Sequence, residues 1–184
     1  MTLQDPHQII DHLSPTDALA ILRALAREDE RLAARIAQIA TAQLSDVDPL
    51  EVAIDFYEEL NALEVEEVWD RSGSTRHGYV EPGEAADEMI DELLEPYLAE
   101  LTKYQGMAMP AQANRLCMGL LLGLYRFERE STSEFKNWEP DAPIVYAEVV
   151  VDAWKEGSPS RADTQALRSF IEDELGGWGT PLVQ

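Results

Sequence analysis

Apolar side chains recur along this chain at steps of three and four residues, and the segments that carry them open on proline placed just after a polar residue: Ser14-Pro15, Asp48-Pro49, Glu81-Pro82 and Ser158-Pro159. Proline cannot donate a backbone hydrogen bond, and the first helical position does not need one. A Ser, Asp or Glu before it offers an oxygen to the free N–H groups of the first turn. The 3.6-residue period then requires each segment to hide one stripe against another helix. These features predict an all-α fold, a single-domain antiparallel helical bundle or short irregular array of about seven helices over residues 1–184, with an irregular tail from about 177.

Ala18, Ile21, Leu22 and Leu25 form a first stripe, expected to be buried, and Leu32, Ile36, Ile39 and Ala40 a second. The polar turn Arg27 to Arg31 joins them into an αα-hairpin. The segment Asp17–Ala42 loosely resembles a HEAT-type helical pair. The later segments keep no period near ~40 residues, so no HEAT array is implied. A third stripe runs Val52, Ala53, Phe56, Tyr57, Leu60 and Leu63, and Val65, Val68 and Trp69 suggest a short helix after it. Residues 71–80 read as a loop, because Ser72, Gly73, Ser74, Thr75 and Gly78 break the pattern.

A long helix follows from Pro82, ending at Gly106, with Pro96 expected to kink or split it. Its outer face carries Glu84, Asp87, Glu88, Asp91, Glu92 and Glu95, which reads as a solvated surface. The segment from Pro110 is the most apolar and is expected to be the central core helix. Gly119 and Gly123 lie one turn apart on it, a spacing that permits close helix packing. Met107 and Met109 are expected to fill gaps in the core. Residues 131–143 read as a second long loop. In 144–154 the run Val149-Val150-Val151 favours a strand, yet Ala147, Val150, Val151 and Trp154 fit a helical stripe, and helix is the expectation. Ser158-Pro159 is read as the cap of a last helix that Gly176-Gly177 stops.

Charge narrows the function classes. With 36 Asp and Glu against 14 Lys and Arg, the net charge is -22. Such a surface repels phosphate backbones and anionic membranes, so direct nucleic-acid or membrane binding is not expected. Neither a basic n-region nor an apolar h-region opens the sequence, and a cytoplasmic location is the expectation. The single cysteine, Cys117, admits no internal disulfide and reads as a small buried core residue.

Two segments concentrate positive charge and are candidates for an anion site. Arg71, Arg76 and His77 fall in the first loop, among three hydroxyls and two glycines. Arg126, Arg129 and Lys136 bracket the second, beside Phe135 and Trp138. Arginine forks and freed N–H groups suit an oxyanion. The plainer account makes the first a connector and the second a helix C-terminus complemented by cations, its loop anchored by Phe135 and Trp138. No P-loop, His-x-x-x-His, Glu-x-x-His or EF-hand pattern occurs, so no metal, no cofactor and no catalytic residue are assigned. The preferred expectation is a protein-interaction or scaffold domain whose partner is another protein, with enzyme activity left open. The alternatives are a small-molecule or anion-binding protein or enzyme using segments 71–80 and 126–138, and an acidic decoy that mimics nucleic acid.

Overall fold

A computed structural model describes residues 10–76 and 78–183. Its contacts divide the chain into two compact units, residues 1–46 and 47–184. Among the described residues there are eight α-helices: α1 Pro15–Glu28, α2 Glu30–Leu44, α3 Pro49–Asn61, α4 Val65–Arg71, α5 Pro82–Gly106, α6 Pro110–Glu130, α7 Ala142–Glu156 and α8 Arg161–Glu174. The all-α expectation holds, and the ambiguous segment 144–154 is helix α7.

The first unit is the hairpin of α1 and α2. Ser14 Oγ accepts from the Asp17 N–H at 3.2 Å, so the cap before Pro15 works as its sequence implies. A single residue, Asp29, ends α1 and begins α2. Its backbone is extended, and its carboxylate accepts from the N–H groups of Arg31 and Leu32. One expectation fails here. The stripe Ala18, Ile21, Leu22 and Leu25 is not buried, and neither helix buries any side chain. Two helices of 14 and 15 residues have too few facing positions to shield a full stripe from water.

In the second unit α6 is the central helix, packing against α3, α5, α7 and α8, most extensively against α3. The two glycines make that contact possible. A Cβ on Gly119 would lie 2.6 Å from Val52 Cβ and 2.9 Å from the Pro49 carbonyl oxygen. On Gly123 it would lie 3.0 Å from Phe56 Cδ1. Around this seam Phe56, Leu60, Ile90, Leu94, Leu101, Leu120, Leu121 and Leu124 form a core at most 1% exposed. Cys117 is fully buried there, and burial raises its thiol pKa.

Several details differ from the sequence reading. Helix α5 is not split at Pro96 but runs unbroken through it for 25 residues. Pro96 and Glu92 both face water, so the carbonyl that loses its partner can be hydrated. Segment 71–80 is not wholly irregular: β1 Gly73–Thr75 and β2 Gly78–Val80 pair antiparallel, with Ser74 opposite Tyr79. Gly78 has φ +139°, a conformation that favours glycine. Segment 131–143 contains a 3₁₀ turn at Phe135–Asn137. The cap of α8 is Ser160 rather than Ser158, two residues later than expected, in a capping box with Asp163. The tail forms a 3₁₀ turn at Thr180–Val183 and is docked: Val183 is buried, and its carbonyl accepts from Arg168 Nη2 at 2.6 Å. Met109 is buried as expected, whereas Met107 is 42% exposed.

Candidate functional site

The six residues marked as a possible anion site are placed as follows. Arg71 closes α4 and reaches two carboxylates, Glu67 Oε1 at 2.7 Å and Glu92 Oε2 at 2.8 Å. Those bonds, Glu67 first, push the guanidinium pKa further up. Arg76 is exposed in the turn of the β-hairpin, and His77 lies outside the described residues. Arg126 is half-buried on α6. Arg129 is exposed, 3.7 Å from Glu128 Oε1, with its guanidinium carbon 5.7 Å from the centre of the Tyr125 ring. Lys136 Nζ donates to the Glu128 carbonyl and, at 3.3 Å, to the Ser131 carbonyl, so it caps the C-terminus of α6.

Trp69 and Trp138 bring the two segments together. Their rings meet edge to face at 4.9 Å and 89°. No ion pair joins residues 71–80 to 126–138 among the described residues. Arg71 and Lys136 already serve protein acceptors, and an incoming anion would have to displace carboxylates from Arg71. The Glu67–Arg71 pair is an i, i+4 contact on α4 and was legible in the sequence; the tie to Glu92 on α5 was not.

A different surface stands out in the first unit. Leu19, Ile21, Leu22, Leu25 and Ile39 are 39–47% exposed. Scattered apolar residues on a surface are ordinary, but five large ones on one short hairpin are not. Helix α1 also carries Arg23 and Arg27, and α2 carries Arg31 and Arg35, each pair one turn apart. Among the described residues none of these four makes an ion pair; Arg35 donates to Gln38 Oε1 at 2.8 Å. Charge is divided unevenly between the units. Residues 1–46 hold four arginines against seven carboxylates, net -3, while 47–184 hold ten Lys and Arg against 29 carboxylates, net -19.

On the second unit, Asp87 and Glu139 form a like-charge neighbourhood. Partial loss of hydration is the first cause that raises each carboxyl pKa, although Asp87 itself is exposed and Glu139 half-buried. Asp91 adds repulsion at Asp87, and Asp87 and Asp141 add it at Glu139. A carboxyl held above its unfolded value favours the protonated folded state. Stability is therefore lost as pH rises through the raised folded value. It is regained on acidification, down to the ordinary carboxylate range near 4. Asp87→Asn or Glu139→Gln is expected to raise the thermal midpoint at pH 7 by about 1–2 °C, an advantage that shrinks to nothing near pH 4. Melting curves at both pH values check this; an advantage that grows on acidification counts against it.

Among the described residues, no group of three His, Cys, Asp or Glu side chains is placed to hold a metal ion, and no helix is long and apolar enough to cross a membrane. No protein-family model, curated protein or solved structure matches the sequence.

Proposed function

We propose that the chain is a protein-interaction module whose docking element is the hairpin α1–α2. The observation that carries this reading is the apolar stripe of Leu19, Ile21, Leu22, Leu25 and Ile39, which nothing in its own unit covers. An αα-hairpin that cannot bury its stripe gains stability when a partner supplies the missing face. Burial contributes about 25 cal/mol per Å² of apolar surface removed from water. Arg23, Arg27, Arg31 and Arg35, carried by the same two helices, favour carboxylates on the partner. The partner is therefore an amphipathic helical protein surface with an acidic edge.

Residues 1–46 contain no Phe, Trp or Tyr and carry seven carboxylates. Helices that lie on membranes typically insert aromatic residues and avoid anionic charge, so a protein suits this face better than a lipid surface.

The test compares the full chain with a Leu22→Asp, Leu25→Asp variant, both recovered gently from their own host. The wild type is expected to retain a protein in fixed stoichiometry. The variant is expected to lose it while the near-ultraviolet circular dichroism stays unchanged. All four tryptophans lie in 47–184, so that signal reports the second unit. Two bare and identical preparations, or wild-type binding to anionic vesicles alone, would discard the reading.

A further inference from the structure

The 47–184 unit also holds a half-open cavity of about 380 Å³ where α5 and α7 end and α6 and α8 begin. Its size falls in the range of small-molecule sites. Its wall includes Ala108 and Ser158, both at φ +53°. These are the non-glycine residues with positive φ among those described. Side chains avoid that conformation, and it persists where the surroundings enforce it, often beside a ligand site.

The decisive feature is the hydrogen-bond inventory. The backbone N–H groups of the wall are spent inside the protein. Ala108 donates to the Gln105 carbonyl, Met109 to Tyr104, Gly157 to Trp154 and Ser158 to Lys155. The Ser160 N–H donates to Asp163 Oδ2 at 3.0 Å, and the Ser160 hydroxyl donates to the same oxygen at 2.6 Å. Pro110 and Pro159 have no N–H to offer. The Gln105 amide is also committed: Nε2 donates to the Ala153 carbonyl at 2.9 Å and the Trp154 carbonyl at 3.3 Å. The donors left in the wall are the Ser158 hydroxyl and the Trp154 indole N–H. The acceptors left are Gln105 Oε1, Asp163 Oδ1 and the backbone carbonyls of Ala108, Gly157, Ser158 and Pro159, which accept no hydrogen bond among the described residues.

Asp163 is the ionisable residue of this wall, and no cation lies within ion-pair distance of it among the described residues. Its carboxylate is fixed by the capping box. Its carbonyl accepts from Asn114 Nδ2 at 3.4 Å. Trp154, 3% exposed, and Met109, 6% exposed, contribute to the apolar part of the wall. An anion entering here meets a carboxylate and almost no donors; a donor-bearing cation finds acceptors and an apolar wall that includes Trp154.

We propose that this cavity binds a small organic cation, an alkyl- or arylammonium, with its charge on Asp163 and its apolar body against Trp154. The site is independent of the hairpin, so either assignment can fail alone.

Three probes of similar size test it on the full chain: phenethylammonium, neutral 2-phenylethanol and anionic 3-phenylpropionate. The readout is the indole N–H resonance of Trp154, identified by its loss in Trp154→Phe. Phenethylammonium at millimolar concentration is expected to shift it and to bind about tenfold more tightly than the alcohol. Asp163→Asn is expected to erase that preference. Ser160→Gly removes the cap hydroxyl but keeps the carboxylate, and is expected to retain it. Equal affinity for the three probes, a silent Trp154 resonance, or a preference that survives Asp163→Asn or is lost in Ser160→Gly overturns the proposal.

Discussion

Gly119→Ala is expected to lower the thermal midpoint of the 47–184 unit by about 5–10 °C, while Gly123→Ala moves it by no more than about 2–3 °C. The two substitutions are chemically identical and lie one turn apart on α6. On helix propensity alone each adds up to ~1 kcal/mol of stability. The difference comes from what the new methyl group meets. At 119 it falls 2.6 Å from Val52 Cβ and 2.9 Å from a backbone oxygen, neither of which can rotate away. Carbon contacts need ~3.5–4.0 Å, so α3 and α6 must move apart by about 1 Å along their whole seam. Overpacking of this kind costs about 1–3 kcal/mol and sometimes more. At 123 the nearest atoms are Phe56 Cδ1 at 3.0 Å and the Ala53 oxygen at 3.2 Å, and a small ring rotation relieves the first. Val52→Ala rescues Gly119→Ala only in part. It removes the Cγ1 contact at 2.7 Å and leaves the Cβ and carbonyl contacts in place. Equal midpoints for the two alanine variants would show that α3 and α6 do not meet at this distance. Tryptophan fluorescence is the proper probe, because the first unit contains no tryptophan and is free to melt separately.

The glycine pair was legible in the sequence, and so were most helix boundaries, because caps, prolines and apolar spacing are local signals. What escaped was set by distance or by what each stripe meets. The hairpin stripe has the same spacing as the buried ones. Nothing in Leu22 or Leu25 records whether a covering surface exists, and in the first unit none does. Pro96 was expected to kink or split α5, yet a single missing bond on a wet face is cheap within a 25-residue helix that packs on α3, α6 and α7. Ser158 reads as the α8 cap in the sequence because it precedes a proline. The competing signal, Ser160 with Asp163 three residues on, is the capping box that forms. As for the candidate site, Arg71 was read as available to an anion. Its commitment to Glu92 depends on α4 lying along α5, which one-dimensional spacing does not encode. The acceptor-lined cavity has the same origin: four helix ends, distant in sequence, meet there.

Phe135→Ala is the other large effect expected, about 3–5 kcal/mol of stability lost from a residue in what reads as a loop. Phe135 is 1% exposed and sits at the start of a 3₁₀ turn between α6 and α7. The polar residues before it are arranged to hold that ring inside. Ser131 Oγ donates to Asn61 Oδ1 at 2.6 Å, tying the end of α6 to the end of α3. The Ser133 N–H then donates to Ser131 Oγ at 3.1 Å, and the Phe135 N–H to Ser133 Oγ at 3.2 Å. Lys136 closes the turn onto the last carbonyls of α6. The hydroxyls of Ser131 and Ser133 and the Lys136 ammonium, groups suited to an anion, are thus engaged in building the segment. Trp138→Ala is the control. Its ring is half-buried against Trp69, itself 54% exposed, and such a pair is worth about 0.5–1.5 kcal/mol beyond its buried area. Urea unfolding followed by circular dichroism separates the cases: Phe135→Ala shifts the midpoint well below that of Trp138→Ala at unchanged slope. A loss under about 1 kcal/mol for Phe135→Ala would mean that the segment is not packed, and its serines and lysine would again be free to meet a ligand.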